Sequence, residues 1–270
     1  MKNRDITFIS EIAKTAGAIA QKMRESELTV SYKSEKDLVS EADREVEKFI
    51  ISEIKKYFPD DGIWGEETGK KNLNSDFQWI IDPIDGTTSY LHNQPFYSVS
   101  IGLQYKGESI LGVVFAPALN ELFYAEKSAG AFLNGKKISV SRREKLIESV
   151  LSTGFACVRS NKKNNNIKYF SKILPKIREI RRFGSAAIDL SYTACGRLDG
   201  FWELNLQLYD ICAGALILLE AGGQITDFSG KKNFPQNGTL ATNGLIHDQL
   251  IELLNKKNQY KKNKPRILRG

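Results

Sequence analysis

The sequence predicts a mixed α/β protein, with an α+β first half and an α/β second half. Three observations carry this. Residues 5–57 hold two stretches of helical periodicity. Residues 77–140 follow as apolar or alternating runs broken by tight-turn signals. Beyond about residue 145, strand-like and helix-like segments alternate.

Ile9, Ile12, Ala13, Ala16, Ile19, Ala20 and Met23 recur at helical spacing and predict a helix over 5–26. A second helix is expected from about Glu41 to Tyr57, with Ala42, Val46, Phe49, Ile50 and Ile54 inward and Pro59 just beyond its end. The polar segment 31–43 between them has no clear period. Residues 77–82, FQWIID, are short and apolar, as a buried strand is. Residues 96–105 and 108–116 flank Lys106-Gly107 and predict a hairpin, and 121–127 adds a strand. In 129–140 the dipeptide Asn134-Gly135 signals a further hairpin.

In the second half, 146–154 is a predicted strand, 164–177 a helix and 178–183 a strand. Then come a helix over 184–196, a strand over 197–204 and an apolar helix over 210–223, closed by Gly222-Gly223. Short strands at 224–228 and 239–243 precede a last helix from His247. The organisation expected is a first half over 1–145, a second over 146–255 and a tail over 256–270.

Composition restricts the class. Of 270 residues, 41% are hydrophobic and 26% charged, the profile of a soluble globular chain. No apolar run reaches membrane-spanning length, and the N-terminus lacks the apolar core of a signal peptide. Cys157, Cys195 and Cys212 form no paired spacing, which argues against a disulfide framework or a cysteine zinc site and fits a reducing cytoplasm. His92 and His247 read as surface residues. The net charge of +7 resides in 256–270, which holds seven Lys and Arg and no acid, so residues 1–255 are balanced. A solvated tail is the plain reading; an arm that touches RNA, a polymerase or a membrane is the alternative.

The informative stretch is WIIDPIDGTTSY, 79–90. It places Asp82 and Asp85 around Pro83, where an apolar strand meets a Gly-Thr-Thr segment. A strand followed by a tight turn and a helix start builds an anion site, because free N–H groups and the helix dipole face the ligand. Gly86 allows a phosphate close to the backbone, and Thr87, Thr88 and Ser89 add hydroxyls. Carboxylates beside a phosphate make sense when cations lie between them, and Mg²⁺ is a hard ion that binds in this way. Asp82 and Asp85 therefore read as metal ligands, with the Ile84 carbonyl a possible third. The alternative is a strand-ending Asp82 and a helix-capping Asp85. Glu66-Glu67 and Asp210 could join them, or be surface charge and a helix cap respectively.

DLVSEAD (37–43), GEE (65–67), WIIDPIDGTTSY, FGSAAIDL (183–190) and YDICAGALILLEAGG (209–223) resemble, in this order, the signature segments of the inositol monophosphatase family. The resemblance covers residues 5 to about 255. It implies a layered α-β-α-β-α sandwich, the sugar-phosphatase fold, usually as a homodimer. It also implies a Mg²⁺-dependent, lithium-sensitive phosphatase. Tyr209 stands where the family commonly has Trp, and the Lys-rich tail is atypical.

By resemblance, Glu66, Asp82, the Ile84 carbonyl, Asp85 and Asp210 hold two or three Mg²⁺ ions. Thr87, backed by Asp43, and Glu66 act on the attacking water; Asp43 is otherwise a helix cap. Gly86 and Thr87 cradle the phosphate. Lys33 and Asp37 belong to a loop that in relatives reaches towards a third metal. Gly184, Ser185, Ala186 and Glu203 are implied as contacts to the substrate; Glu203 is otherwise a strand-end charge and Gly184 a helix-start glycine. Inositol-1-phosphate is the expected substrate, with fructose-1,6-bisphosphate, histidinol phosphate and 3′-phosphoadenosine 5′-phosphate as alternatives. The nucleotide enzyme commonly has Lys where Thr88 stands, which argues against the last.

Overall fold

The computed structural model describes residues 3–25, 30–34 and 37–255, with side chains described outside 26–40. The tail 256–270 lies outside the described residues, as do the side chains of Lys33 and Asp37.

The first elements are α1 (Ile6–Arg24), β1 (Val30–Ser34), β2 (Asp37–Ser40) and α2 (Glu41–Tyr57). Asp5 caps α1 by accepting the Phe8 N–H at 2.9 Å. The polar segment that showed no period forms the β1–β2 hairpin, whose register starts at Val30↔Ser40. The chain continues as β3 (Gly62–Gly65), β4 (Gly69–Lys71), β5 (Phe77–Asp85), α3 (Thr87–Leu91), β6 (Ser98–Tyr105), β7 (Glu108–Ala116), β8 (Glu121–Glu126), β9 (Gly130–Leu133) and β10 (Lys136–Lys137). Asn134 and Gly135 both have positive φ, 48° and 80°, which fits the tight turn expected between β9 and β10.

Eight strands form one sheet in the order β10-β9-β8-β7-β6-β5-β3-β4. Only the β3–β5 pair among them is parallel. Alternation decides the two faces. Val113 and Phe115 of β7 join Ile9, Ile12, Val46 and Ile50 in the core beneath α1 and α2. Val114 and Ala116 of the same strand face the opposite core.

The second half comprises β11 (Val150–Thr153), α4 (Ala156–Arg159), α5 (Ile167–Ile173), β12 (Glu179–Arg181), α6 (Ala186–Ala194), β13 (Gly200–Glu203), α7 (Leu208–Glu220), β14 (Gln224–Thr226), β15 (Thr239–Thr242) and α8 (His247–Asn255). Its sheet runs β12-β11-β13-β15-β14, parallel among the first three strands and antiparallel beyond. Helices α6 and α7 fill the space between the sheets, with Ile188, Leu190, Ile211 and Ile217 packed against Val114, Phe123 and Phe201. On the far face, Ile173 and Leu250 of α5 and α8 cover Leu151, Trp202 and Leu240. The order of layers is α1/α2, large sheet, α6/α7, small sheet, α5/α8, which is the α-β-α-β-α sandwich.

Two glycines set the height of α7. Gly102 and Gly112 are cross-strand partners. A Cβ on Gly102 would lie 2.5 Å from Cys212 Sγ, and one on Gly112 would lie 2.8 Å from the Ala213 carbonyl. Side chains there would lift the helix off the sheet, and with it Asp210, two residues before Cys212. His247 is fully buried, contrary to its reading as a surface residue. Its ring bonds Thr226 and Thr242, both at 2.9 Å, and burial pushes its pKa down to about 4, so it is a neutral core histidine.

Candidate active site

The parallel register Gly65↔Ile81 brings the end of β3 beside β5. The next residues, Glu66 and Asp82, are therefore neighbours, and the Glu66 N–H donates to the Ile81 carbonyl at 3.1 Å. Between Asp82 and Asp85 the pairing with β6 shifts register, so Pro83-Ile84 forms an irregularity that lets β5 present both acids. Gly86 follows with φ +96°, and a Cβ there would meet the Phe96 carbonyl at 2.8 Å. Glycine is thus required on two counts where β5 turns into α3.

Asp210 arrives from the other half. Its carboxylate accepts the Gln207 N–H while the Gln207 side chain accepts in return, a capping box at the start of α7. Asp85 is held from the same side: its Oδ2 accepts the Ser185 hydroxyl at 2.6 Å and the Ala187 N–H at 2.7 Å. Ser185 is itself the N-cap of α6.

These groups surround a cavity of about 600 Å³. Glu66, Asp82, Ile84, Asp85 and Asp210 line one side, with Gly86 and Thr87 adjoining. Gly184, Ala186 and Glu203 are also among the lining residues, together with Arg159 and Arg182, which the sequence did not single out. Arg182 stands two residues before Gly184 in RRFGSAA, and that proximity was the available signal. Ser185 is buried, 1% exposed, and its hydroxyl serves Asp85. Asp43 is buried in the first turn of α2, outside the cavity wall, and its charge bears on Asp82. The Thr87 hydroxyl donates to the Ile84 carbonyl at 3.3 Å.

The electrostatics are those of crowded acids. Burial, then the charges of Glu66, Asp85 and Asp210, hold Asp82 well above the usual carboxylate range. Asp210 is raised likewise, by burial first and Asp85 next. Burial pushes Asp85 up to about 6 against the donors on α6, which favour its charged form. Glu203 is pushed up to about 7 by burial, with Arg182 and Arg159 pulling the other way. A Cβ on Gly154 would fall 2.0 Å from a Glu203 oxygen, so the absence of a side chain there seats the carboxylate.

The residues fit a divalent cation. Asp82 is buried and its Oδ1 has no hydrogen-bond partner. Such an atom is costly unless something positive completes it. Among the described residues, no group of three or more acidic, histidine or cysteine side chains is drawn close enough to hold an ion by itself. An all-oxygen donor set with one carboxylate oxygen left without a partner suits a hard cation. Among the described residues, no helix is long and apolar enough to cross a membrane.

The chain matches the model of the inositol monophosphatase family over residues 2–259. It is 39% identical to an inositol-1-monophosphatase of Mesorhizobium japonicum over 85% of this chain and 87% of that one. It is 43% identical to a fructose-1,6-bisphosphatase/inositol-1-monophosphatase of Thermotoga maritima, over 82% and 83%. The crystal structure of the extragenic suppressor protein suhB from Bartonella henselae superimposes with a TM-score of 0.88 at 37% identity, covering 94% of this chain and 99% of that one. Family model, relatives and layered fold agree: the chain belongs to the inositol monophosphatase family and is a phosphoric monoester hydrolase.

Proposed function

We propose that the protein is a Mg²⁺-dependent phosphatase of inositol-1-phosphate that works by direct attack of water on phosphorus. The observation that supports it most is the buried Asp82 carboxylate, with one unpartnered oxygen, among Glu66, Asp85 and Asp210. Glu66, Asp82, the Ile84 carbonyl, Asp85 and Asp210 hold two or three ions. Bound there, Mg²⁺ supplies the positive charge these acids lack and the Lewis acidity that hydrolysis of a phosphate monoester needs. Lithium inhibition belongs to the same reading.

The chain's own residues do the rest. The N–H groups of Gly86 and Thr87 donate to phosphate oxygens at the start of α3. Glu66 and the Thr87 hydroxyl orient the attacking water, with Asp43 acting behind Thr87 to favour uptake of its proton. Gly184 and Ala186 leave room for a ring. Ser185 acts through Asp85. Glu203 accepts hydrogen bonds from substrate hydroxyls. Residues 1–145 thus bring the phosphate chemistry, and residues 146–255 contribute Asp210 and the polyol contacts.

A second reading has its own observation. Arg159 and Arg182 line the cavity on the side that holds Glu203. Two guanidiniums there suit a second phosphate, and the Thermotoga maritima relative is named for both activities. One experiment separates the readings. The kcat/KM of the purified protein is measured on inositol-1-phosphate, fructose-1,6-bisphosphate and glycerol-2-phosphate, with Mg²⁺ and with chelator. Preference for the inositol ester, lost on chelation, is the expected result. Activity that survives chelation would overturn the proposal.

A further inference from the structure

We propose that Glu47 is a positioning residue, which holds the Glu66–Thr68 turn in the shape that presents Glu66 to the cation site. The proposal rests on the metal-dependent reading above. Glu47 lies on the inner face of α2, one turn after Asp43, and is 0% exposed. A carboxylate in that position needs a reason, because burying an acid beside an already acidic site is unfavourable.

The reason is in the turn that joins β3 to β4. Glu47 Oε2 accepts the Glu67 N–H at 2.9 Å, and Oε1 accepts the Thr68 N–H at 2.7 Å. Each carboxylate oxygen thus meets one backbone donor, and both donors directly follow Glu66. Gly65 directly precedes it. A Cβ on Gly65 would lie 2.6 Å from both Glu47 oxygens, so glycine is needed there for space. The sequence Gly65-Glu66-Glu67-Thr68 is therefore wrapped around one buried carboxylate.

The turn has a second anchor, the Glu66 N–H on the Ile81 carbonyl, one residue before Asp82. The β3–β4 ladder pairs Ile63↔Lys71 and Gly65↔Gly69 on either side of the tip. What Glu47 adds is the orientation of the tip. With the tip fixed, Glu66 enters the cavity at a set place relative to Asp82. A carboxylate offers each N–H an oxygen of its own. A glutamine has one carbonyl oxygen and would turn its NH₂ towards the other donor.

The test is Glu47→Gln in the full chain, stripped of metal with chelator and titrated with Mg²⁺ alone by calorimetry. The expected result is a Kd for Mg²⁺ weakened about tenfold, the lower end of what outer partners of metal ligands cost. Hydrogen exchange of the peptide containing Glu67 and Thr68 should rise, and kcat at saturating Mg²⁺ should stay within about threefold of wild type. If that variant does not fold, Gly65→Ala pushes the same carboxylate from the other side and should weaken Mg²⁺ in the same direction. An unchanged Kd in either folded variant, with only the melting temperature lowered, would overturn the proposal and leave Glu47 a structural residue. A wild type that takes up no Mg²⁺ would overturn the reading of the site, and the proposal with it.

Discussion

Ser185 donates its hydroxyl to Asp85 at 2.6 Å, a bond between residues 100 positions apart that ties the end of β5 to the start of α6. One oxygen of Asp85 is thereby committed to α6, since the Ala187 N–H bonds the same atom. Ser185→Ala removes the donor and the cap of α6 together. Loss of the cap should cost about 1 kcal/mol in urea unfolding. Loss of the Asp85 contact should raise the Mg²⁺ concentration for half-activation about tenfold. A raised KM for inositol-1-phosphate at unchanged Mg²⁺ requirement would instead make Ser185 a substrate contact.

The crowding of acids gives a prediction of opposite sign for stability and activity. Asp82→Asn removes a buried charge that Glu66, Asp85 and Asp210 all disfavour. In chelator the variant should be more stable than wild type, by on the order of 1 kcal/mol, because function keeps such repulsion in place. Phosphate release should fall by orders of magnitude. In Mg²⁺ the stability order should reverse, since the wild type gains binding energy that the variant forgoes. Urea midpoints measured with and without Mg²⁺ check this; equal midpoints in chelator would remove the repulsion argument.

The contrast between Asp82 and Glu47 shows what was legible in the sequence. Asp82, Asp85 and Asp210 carry local patterns, a proline between two acids, a glycine after them and an acid opening an apolar helix, which also fit a strand end and helix caps, and the family resemblance decides between the readings. Periods of two and of 3.6 likewise gave most of the sheet strands and long helices. Glu47 has no such mark. It shares the inner-face spacing of Ile50 and Ile54, and only the fold brings Gly65 and two N–H groups against it. The resemblance implies a substrate contact at Ser185, but the direction of its hydroxyl depends on a residue 100 positions away. His247 escaped for the same reason: polar character predicts exposure unless long-range partners such as Thr226 and Thr242 are known.

Arg182 should separate monophosphate from bisphosphate substrates. Its guanidinium lies 2.9 Å from where a Cβ of Gly184 would be, so the glycine lets it fold close to the cavity wall. Arg182→Gln should lower kcat/KM for fructose-1,6-bisphosphate by about tenfold or more, the cost of a charge-assisted phosphate contact. The value for glycerol-2-phosphate should stay nearly constant. Equal loss on both substrates would place the role of Arg182 in holding Glu203.

Glu203 links specificity to pH. The phosphate and metal groups are common to every substrate of this class, so discrimination between polyols comes from contacts beyond the phosphate. A site built to bond a hydroxyl rejects analogues that lack it. Burial pushes Glu203 up to about 7, and its ionised form is the better acceptor. The kcat/KM for inositol-1-phosphate should therefore climb as pH rises through about 7, with glycerol-2-phosphate as the reference that cancels the metal groups. Glu203→Gln should flatten that ratio and lower the inositol-1-phosphate value roughly ten- to a hundredfold, since each lost charge-assisted bond costs about 1.5–3 kcal/mol. Stability should move the other way. A carboxyl whose pKa is raised on folding binds its proton more tightly folded than unfolded. Its contribution is complete below the unfolded value of about 4.3 and is lost as pH rises towards the folded value. The wild type should thus lose stability relative to Glu203→Gln between about pH 4.3 and about pH 7, by at most on the order of 3 kcal/mol. Chelator-treated protein, unfolded in urea at pH 5 and pH 7.5, gives the comparison. If the two proteins keep the same gap at both pH values while the substrate ratio still changes with pH, Glu203 is not the group that titrates.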